Sequence, residues 1–519
     1  MDRRTMYVVV GCMLALLGVQ IVVNKIWPPI PKKSRPAVTN VVAAATNIVE
    51  TIQPAVAVEA SAPEKLVTLS NDVMRVEFTS WGGGIRSVEL LQHKANGHGN
   101  ARLNGDGVPP ALALAGGSNE TFDIQQTDAH TVVLRSASGI TKTLSLSNDY
   151  VIAGKVTRPA TDHFSLVVGT ARGTQPREVE NYLVVDWQGA SKFRNRTLSR
   201  VLDKAKAGNS HEEIRAGWVA AKSQYFAMVL SPVTNVTGVG YAVVNIATGA
   251  PPVRGVTATV DVPADKNGSC AFTYYAGPKD YDRMVALGSH QEELMDFGTP
   301  MDFYSGFFGM VLFHGLNFFH GLVASYGVAI ILVTITLKAL FWPIQAKSIK
   351  SMKQMQKFQP QLAKLKEKYK DDAQRLNTET MKLYKEHGIN PFSGCLPMVV
   401  QLPVLIAFYR VLVSNIALRG AAFLWINDLS QPDTIATVAG FAVNPLPLLM
   451  VGATFWQQKL TPTTGDAQQK KMMMFMPLMM LFFFYKLAAG LTLYYTLQTL
   501  LSILQQWLSM RQEAAGKAK

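Results

Sequence analysis

Cysteine is nearly missing from this 519-residue chain: Cys12, Cys270 and Cys395 are the whole set. Two of them lie in or beside apolar runs, which leaves Cys270 alone in the part that reads as soluble. An intramolecular disulfide framework there is excluded. Charge is also scarce, at 17% of residues against 48% hydrophobic, and the scarcity is uneven along the chain. Signatures of covalent chemistry are missing as well. There is no GxxxxGKS/T phosphate loop, no HExxH and no GxSxG, so a pump driven by nucleotide hydrolysis is not indicated. His211-Glu212-Glu213 lacks zinc spacing, and His314 and His320, six apart on one helix, are poorly placed to chelate. No metal or cofactor is expected, and no enzyme activity.

What the chain has is long apolar runs, in its first 25 residues and through most of 304–509. About 20 such residues cross a hydrocarbon core of ~30 Å. The net charge of +14 comes mainly from Lys and Arg in short segments beside these runs. That is the positive-inside pattern, which places topology ahead of specific nucleic-acid binding as its cause. Residues 6–24 follow Arg3 and Arg4, and Asn24-Lys25-Ile26-Trp27 stands where a cleavage site of small residues would be. They read as an uncleaved anchor, with residues 1–5 in the cytoplasm. Residues 25–63, rich in Pro, Ala, Val and Thr, read as a linker.

Residues 64–298 carry short β-type runs, among them Val73–Phe78, Thr131–Leu134, Tyr182–Val185 and Val256–Val262. Period-two alternation in Val73–Phe78 and the many turn signals predict a β-sandwich, outside the cytoplasm because the preceding span enters from a basic N-terminus. Residues 302–323 read as an interfacial amphipathic helix, with a polar stripe of His314, Asn317 and His320. A span over 325–344 follows. Residues 345–394 are strongly basic, with an apolar stripe from Met352 to Tyr369 and a turn at Asp371-Asp372, and read as a cytoplasmic helical hairpin. Four more spans are expected at 396–418, 444–460, 472–487 and 490–509. The connection 419–443 is poor in Lys and Arg and faces outward; 461–471 is basic and faces inward. The expected fold class is a polytopic α-helical membrane protein with six transmembrane helices and a β-sandwich domain. Both termini, including the tail 510–519, lie in the cytoplasm, and 25–323 lies outside it.

Lys338 sits within the second span, five residues before Pro343. A cation there is costly, by ~2.5–3.5 kcal/mol on insertion scales. It either snorkels to the headgroups or faces a water-filled cavity. Thr334, one turn back, and Gln401, Gln457, Gln458, Gln498, Thr499 and Ser502 put further polar groups in the spans. Six methionines between Met472 and Met480 crowd one short span. Their flexible side chains suit either lipid or a surface that receives varied apolar helices.

Several motifs, in order, resemble the YidC family. Asn390–Pro397 followed by Gln401-Leu402-Pro403 is similar to that family's signature at its third span. Trp425–Leu429, Gln458–Pro462, Gly490–Tyr495 and Gln505-Gln506 continue the likeness, and Asn71–Val73, Gly82–Ile85 and Tyr275–Tyr281 resemble the opening and closing of its periplasmic domain. The resemblance implies a five-helix insertase core with a polar groove open to the cytoplasm and closed outside. It also implies a periplasmic β-supersandwich related to sugar-mutarotase folds, and a place in the bacterial inner membrane. The implied partners are nascent membrane proteins, the Sec translocon, the ribosome and the lipid bilayer, and the implied activity is insertion and folding without covalent chemistry. The family commonly has Arg where Lys338 stands, and often Asn where Thr499 stands. Candidate groove residues are Lys338, Thr334, Gln401, Tyr495, Thr499 and Gln498; candidate apolar contacts for a substrate helix are Met398, Met472 and Met476. Two rivals are a small-solute transporter, which needs a polar path through the whole bilayer, and a membrane-anchored carbohydrate enzyme, which needs clustered acid and base in 64–298.

Overall fold

The computed structural model of the chain describes residues 63–95, 99–116, 120–173, 182–188, 193–197, 211–247, 253–297, 305–369, 372–387, 396–438, 441–460 and 467–517. The expected anchor at 6–24, the linker up to residue 62 and most of the connection 461–471 lie outside them. The chain divides into two units, Ile30–Met295 and a second made of Met1–Pro29 with Asp296–Lys519.

The first unit is built from antiparallel strands. Its largest sheet has nine strands, with Val184–Gln188, Val219–Lys222, Phe226–Pro232 and Ser269–Pro278 as neighbours in that order. A four-stranded sheet, ordered His211–Ala216, Val236–Ala247, Val253–Pro263 and His163–Ala171, packs against these strands. A second four-stranded sheet runs in sequence order from Leu66 to Asn104. In its strand Met74–Thr79, Met74, Val76 and Phe78 are buried while Arg75 is exposed. The alternation legible in sequence is thus the alternation of the two sheet faces. Upstream, the Asn71 side chain accepts from the backbone N–H of Val73 (3.0 Å) and Met74 (2.8 Å), fixing where that strand begins. The expected runs near 131 and 256 are strands Thr131–Ser136 and Val253–Pro263.

Among the described residues three lysines of this unit are buried, Lys142, Lys222 and Lys279. Lys142 Nζ donates to the carbonyls of Gly82 (3.2 Å), Gly83 (2.7 Å) and Leu112 (2.9 Å), and lies 4.8 Å from the Phe122 ring centroid. Burial pulls it down from 10.5 to about 7. Gly83, at φ +57, lies where a Cβ would meet the Phe122 ring, so a side chain there is excluded. Lys222 Nζ lies 2.5 Å from Asp186 Oδ2, with both side chains at most 1% exposed. In that pair an acid and a base meet out of reach of solvent. The thiol of Cys270 is also buried, and burial raises it to about 12.

The second unit is helical: α1 (Ser305–Val323), α2 (Tyr326–Lys357), α3 (Gln359–Lys368), α4 (Ala373–Glu386), α5 (Leu396–Ser414), α6 (Pro445–Leu460), α7 (Ala467–Phe484) and α8 (Ala489–Lys517). Helix α2 does not end near Pro343. It continues to Lys357, about 48 Å in all at ~1.5 Å per residue. The basic segment therefore begins as a continuation of the same helix, past its internal Pro343. The hairpin proper is α3 and α4, where the Asp372 side chain caps α4 by accepting from Arg375 N at 2.9 Å and the Phe358 and His387 rings stack at 4.2 Å. Helix α1 is apolar on more than one side, with Leu312, Phe313 and Leu316 buried and Phe318, Leu322 and Val323 exposed. Its His320 ring stacks on Tyr326 at 3.8 Å.

Among the described residues one helix, α2, is long and apolar enough by itself to cross a membrane; Phe307–Val323, Gln401–Ser414 and Met474–Phe484 are shorter apolar segments. Helix α8 has the length at 29 residues, but polar residues along one face dilute its apolar character.

Candidate functional site

Helix α8 packs on α2, α5 and α6, and its polar residues follow helical spacing. Tyr494, Gln498, Ser502, Gln505 and Ser509 recur every three or four positions and so share one face. The face extends for about 22 Å at ~1.5 Å per residue. Each member has a polar partner on a neighbouring helix. Gln401 Nε2 donates to the Tyr494 hydroxyl at 2.5 Å, and Gln498 Nε2 donates to Gln401 Oε1 at 3.1 Å. Lys338 Nζ donates to Ser502 Oγ at 2.8 Å and also to Gln345 Oε1. Further along, Gln505 Nε2 donates to the Trp342 carbonyl at 3.3 Å, and Lys353 Nζ donates to Ser509 Oγ at 3.1 Å. The ladder exists because α2, α5 and α8 each turn their few polar residues inward, where an unpaired group would otherwise sit in apolar surroundings.

Lys338 is 3% exposed. Among the described residues it has no carboxylate within ion-pair distance, and its bonded oxygens belong to neutral groups. Its Nζ thus sits between Ser502 of α8 and Gln345, two turns further along α2. Thr334, fully buried, donates its hydroxyl back to Ile330 O at 2.6 Å, and Thr499 donates to Tyr495 O at 2.8 Å. Both hydroxyls thus satisfy themselves within their own helices. Tyr495 turns away from Gln401. Its hydroxyl lies 3.6 Å from Met480 Sδ, while its neighbour Tyr494 takes the Gln401 bond and stacks on Phe408 at 4.1 Å. Met476 is 40% exposed; the side chains of Met398 and Met472 lie outside the described residues.

The ladder includes Tyr494, Gln345, Gln505, Lys353 and Ser509, none of which the sequence reading named as a candidate groove residue. The signal was present in the three-and-four spacing of polar residues from 494 to 509. Gln345 and Lys353 had no such signal, because they fall among many polar residues beyond the expected end of the span.

At the end of α8 away from Ser509, the connection before α6 is tied to the turn before α8. Gly490 N donates to Leu429 O at 2.9 Å and Ala489 N to Gln431 O at 2.8 Å. Asp433, 3% exposed, accepts from Leu446 N at 2.6 Å and from Trp425 Nε1 at 3.3 Å. Asn444 Nδ2 donates to Tyr485 O at 2.7 Å and its Oδ1 accepts from Thr434 at 2.8 Å. Nearby, Phe423 packs on Gly327 so closely that a Cβ there would overlap the ring. This end of the helical unit is pinned by backbone and capping bonds, whereas the ladder toward Ser509 is made of flexible side chains.

The family model described as "YidC periplasmic domain" matches residues 66–310, and the one described as "60Kd inner membrane protein" matches 318–516. The chain is 44% identical over 236 residues to the membrane protein insertase YidC of Pelobacter propionicus, a match covering 45% of this chain and 43% of that protein. It is 30% identical to the membrane protein insertase YidC of Actinobacillus succinogenes over 532 aligned positions, covering 96% of each. A solved structure described as an active YidC insertase with its first transmembrane domain resolved aligns with 86% of this chain and 93% of its own, at 18% identity and a TM-score of 0.37. With two family models matched in order along the chain and a relative aligned almost end to end, this chain belongs to the YidC family of membrane protein insertases.

Proposed function

We propose that the helical unit moves apolar segments of nascent proteins from the cytoplasm into the inner membrane, along the polar ladder of α2, α5 and α8. Six spans put both termini in the cytoplasm, and the β unit lies in the periplasm. The observation that carries this reading is Lys338: a buried cation, with only neutral partners among the described residues, beside a polar stripe that stops short of the pinned end.

The physics is a matter of path length. A substrate helix gains by leaving water, but its polar flank must cross ~30 Å of hydrocarbon. Opened to water, the polar face, about 22 Å long, shortens the dry part of that path. Because Lys338 has no carboxylate partner among the described residues, its charge is available to an acidic flank, and attraction there exceeds that in bulk water. Apolar partitioning supplies most of the drive. The exposed Met474, Phe475, Met476 and Met479 of α7 form an adaptable apolar surface for the arriving helix. The basic hairpin α3–α4 meets the ribosome in this reading, and insertion proceeds alone or with the Sec translocon.

The test is reconstitution. Purified protein in vesicles that contain no other protein receives a short single-spanning substrate, and protease protection reads the translocated flank. Protection that depends on this protein supports the reading. Protection that is the same in empty vesicles, or that arises only with an added translocon, overturns insertion by this chain alone.

A further inference from the structure

The connection between α5 and α6 joins two spans, and water-facing connections are usually rich in Gly, Asn, Asp and other turn-formers. This one is apolar where it is most exposed. Leu424 is 75% exposed, Trp425 41%, Ile435 57%, Val438 61% and Phe441 79%. From Thr434 to Gln458 the sequence has no charged residue. The segment is also ordered by its own bonds. Strands Ala436–Val438 and Phe441–Val443 pair antiparallel, and Ile435 N donates to Val443 O at 3.0 Å. Leu424 is held at φ +53, a conformation usually left to Gly or Asn, in a turn closed by mutual bonds between Phe423 and Ile426. A rigid turn that presents a leucine outward, and a hairpin exposed on both faces, have no use in water.

The hairpin's base is fixed to α6 by Asp433 on Leu446 N and by Thr434 on Asn444. Two residues beyond Leu446, Leu448 and Leu449 are 52% and 54% exposed, so the apolar surface of the hairpin continues into that of the helix. We propose that the Leu424 turn and the hairpin 436–443 are inserted in the headgroup–acyl boundary of the extracytoplasmic leaflet, with lipid as their partner. Depth is limited because a two-stranded hairpin has open backbone edges, which hydrocarbon does not tolerate; amphipathic segments at such an interface reach ~5–10 Å. The inference rests on the reading that α6 spans the bilayer.

Nitroxide labels on the full chain test it. With the three native cysteines replaced, Phe441→Cys, Val438→Cys, Leu449→Cys and Gln374→Cys are labelled singly in vesicles of phosphatidylethanolamine and phosphatidylglycerol. Collision with oxygen, which favours the bilayer, is compared with collision with a water-soluble nickel chelate. The expected order of the oxygen-to-nickel ratio is Leu449 highest, Val438 and Phe441 intermediate and Gln374 lowest. A ratio at Val438 and Phe441 equal to that at Gln374, with Leu449 still high, overturns the inference and leaves the spanning of α6 intact. A low ratio at Leu449 as well overturns the spanning reading. Exclusion of both reagents at Val438 and Phe441 means that protein covers the hairpin, which also overturns the inference.

Discussion

Replacing Lys338 separates a working charge from a tolerated one. Its Nζ lies on Ser502 Oγ at 2.8 Å and on Gln345 Oε1, so a substrate carboxylate approaching the same pocket would sit roughly 6 Å away. At an effective dielectric of about 20, the attraction is about 3 kcal/mol. Desolvating the flank offsets part of that, and a net gain of about 1.4 kcal/mol is about tenfold in insertion of an acidic-flank substrate. Lys338→Ala is therefore expected to lower insertion of such a substrate by about tenfold while leaving a neutral-flank partner close to wild type. Lys338→Glu turns attraction into repulsion and lowers the acidic substrate further. Lys338→Arg keeps the charge and retains activity on both. Assembly should survive the change to Ala, because Ser502 Oγ still donates to Gln498 O at 2.8 Å. The assay is protease protection of paired substrates that differ only in flank charge, in vesicles with matched protein levels. Equal behaviour of all three variants on both substrates refutes the argument.

Deleting most of 64–280 is expected to leave insertion largely intact, because the polar ladder lies in α2, α5 and α8. Complete loss in a depletion-rescue growth assay, with normal membrane levels of the shortened protein, would contradict this. Leu362→Asp with Leu383→Asp, one change on each arm of the hairpin, is expected to reduce insertion without preventing assembly of the spans; unchanged insertion would make the hairpin a passive loop. Lys142→Met leaves three carbonyls without their donor and is expected to cost the β unit about 3 kcal/mol, read as a lower unfolding temperature. Burial holds Lys142 at about 7 against 10.5 in an ordinary setting, so between those values the unfolded chain binds the extra proton. Wild-type stability should then rise with pH from about 7 to 10.5, and the rise should be smaller in Lys142→Met. A variant with the same slope would contradict that assignment.

Much of the β unit was legible because sheet faces alternate with period two, as Met74, Val76 and Phe78 illustrate. What stayed hidden there are long-range pairings such as Asp186 with Lys222, which only strand order brings together. In the helical unit Lys338 was evident because a cation in an apolar run is costly. Its partners were harder to see: Ser502 lies 164 residues away, and Gln345 lies just past the expected span 325–344. Tyr495 was read as the groove tyrosine, whereas Tyr494 bonds Gln401. Adjacent tyrosines on a helix point about 100° apart, and the sequence alone does not tell which one faces α5. Helices α2 and α8 also run on past the expected spans, to Lys357 and Lys517.

The central claim is that substrate travels along the polar face of α8. Photocrosslinking to a stalled nascent membrane protein tests it most directly, with the crosslinker placed in turn at Gln498, on that face, and at Leu504, which is 46% exposed on the same helix. The account predicts a strong crosslink from Gln498 that moves onto the apolar segment as the nascent chain lengthens, and a weak one from Leu504. A crosslink from Leu504 alone, or equal crosslinks from both positions at every chain length, would contradict it.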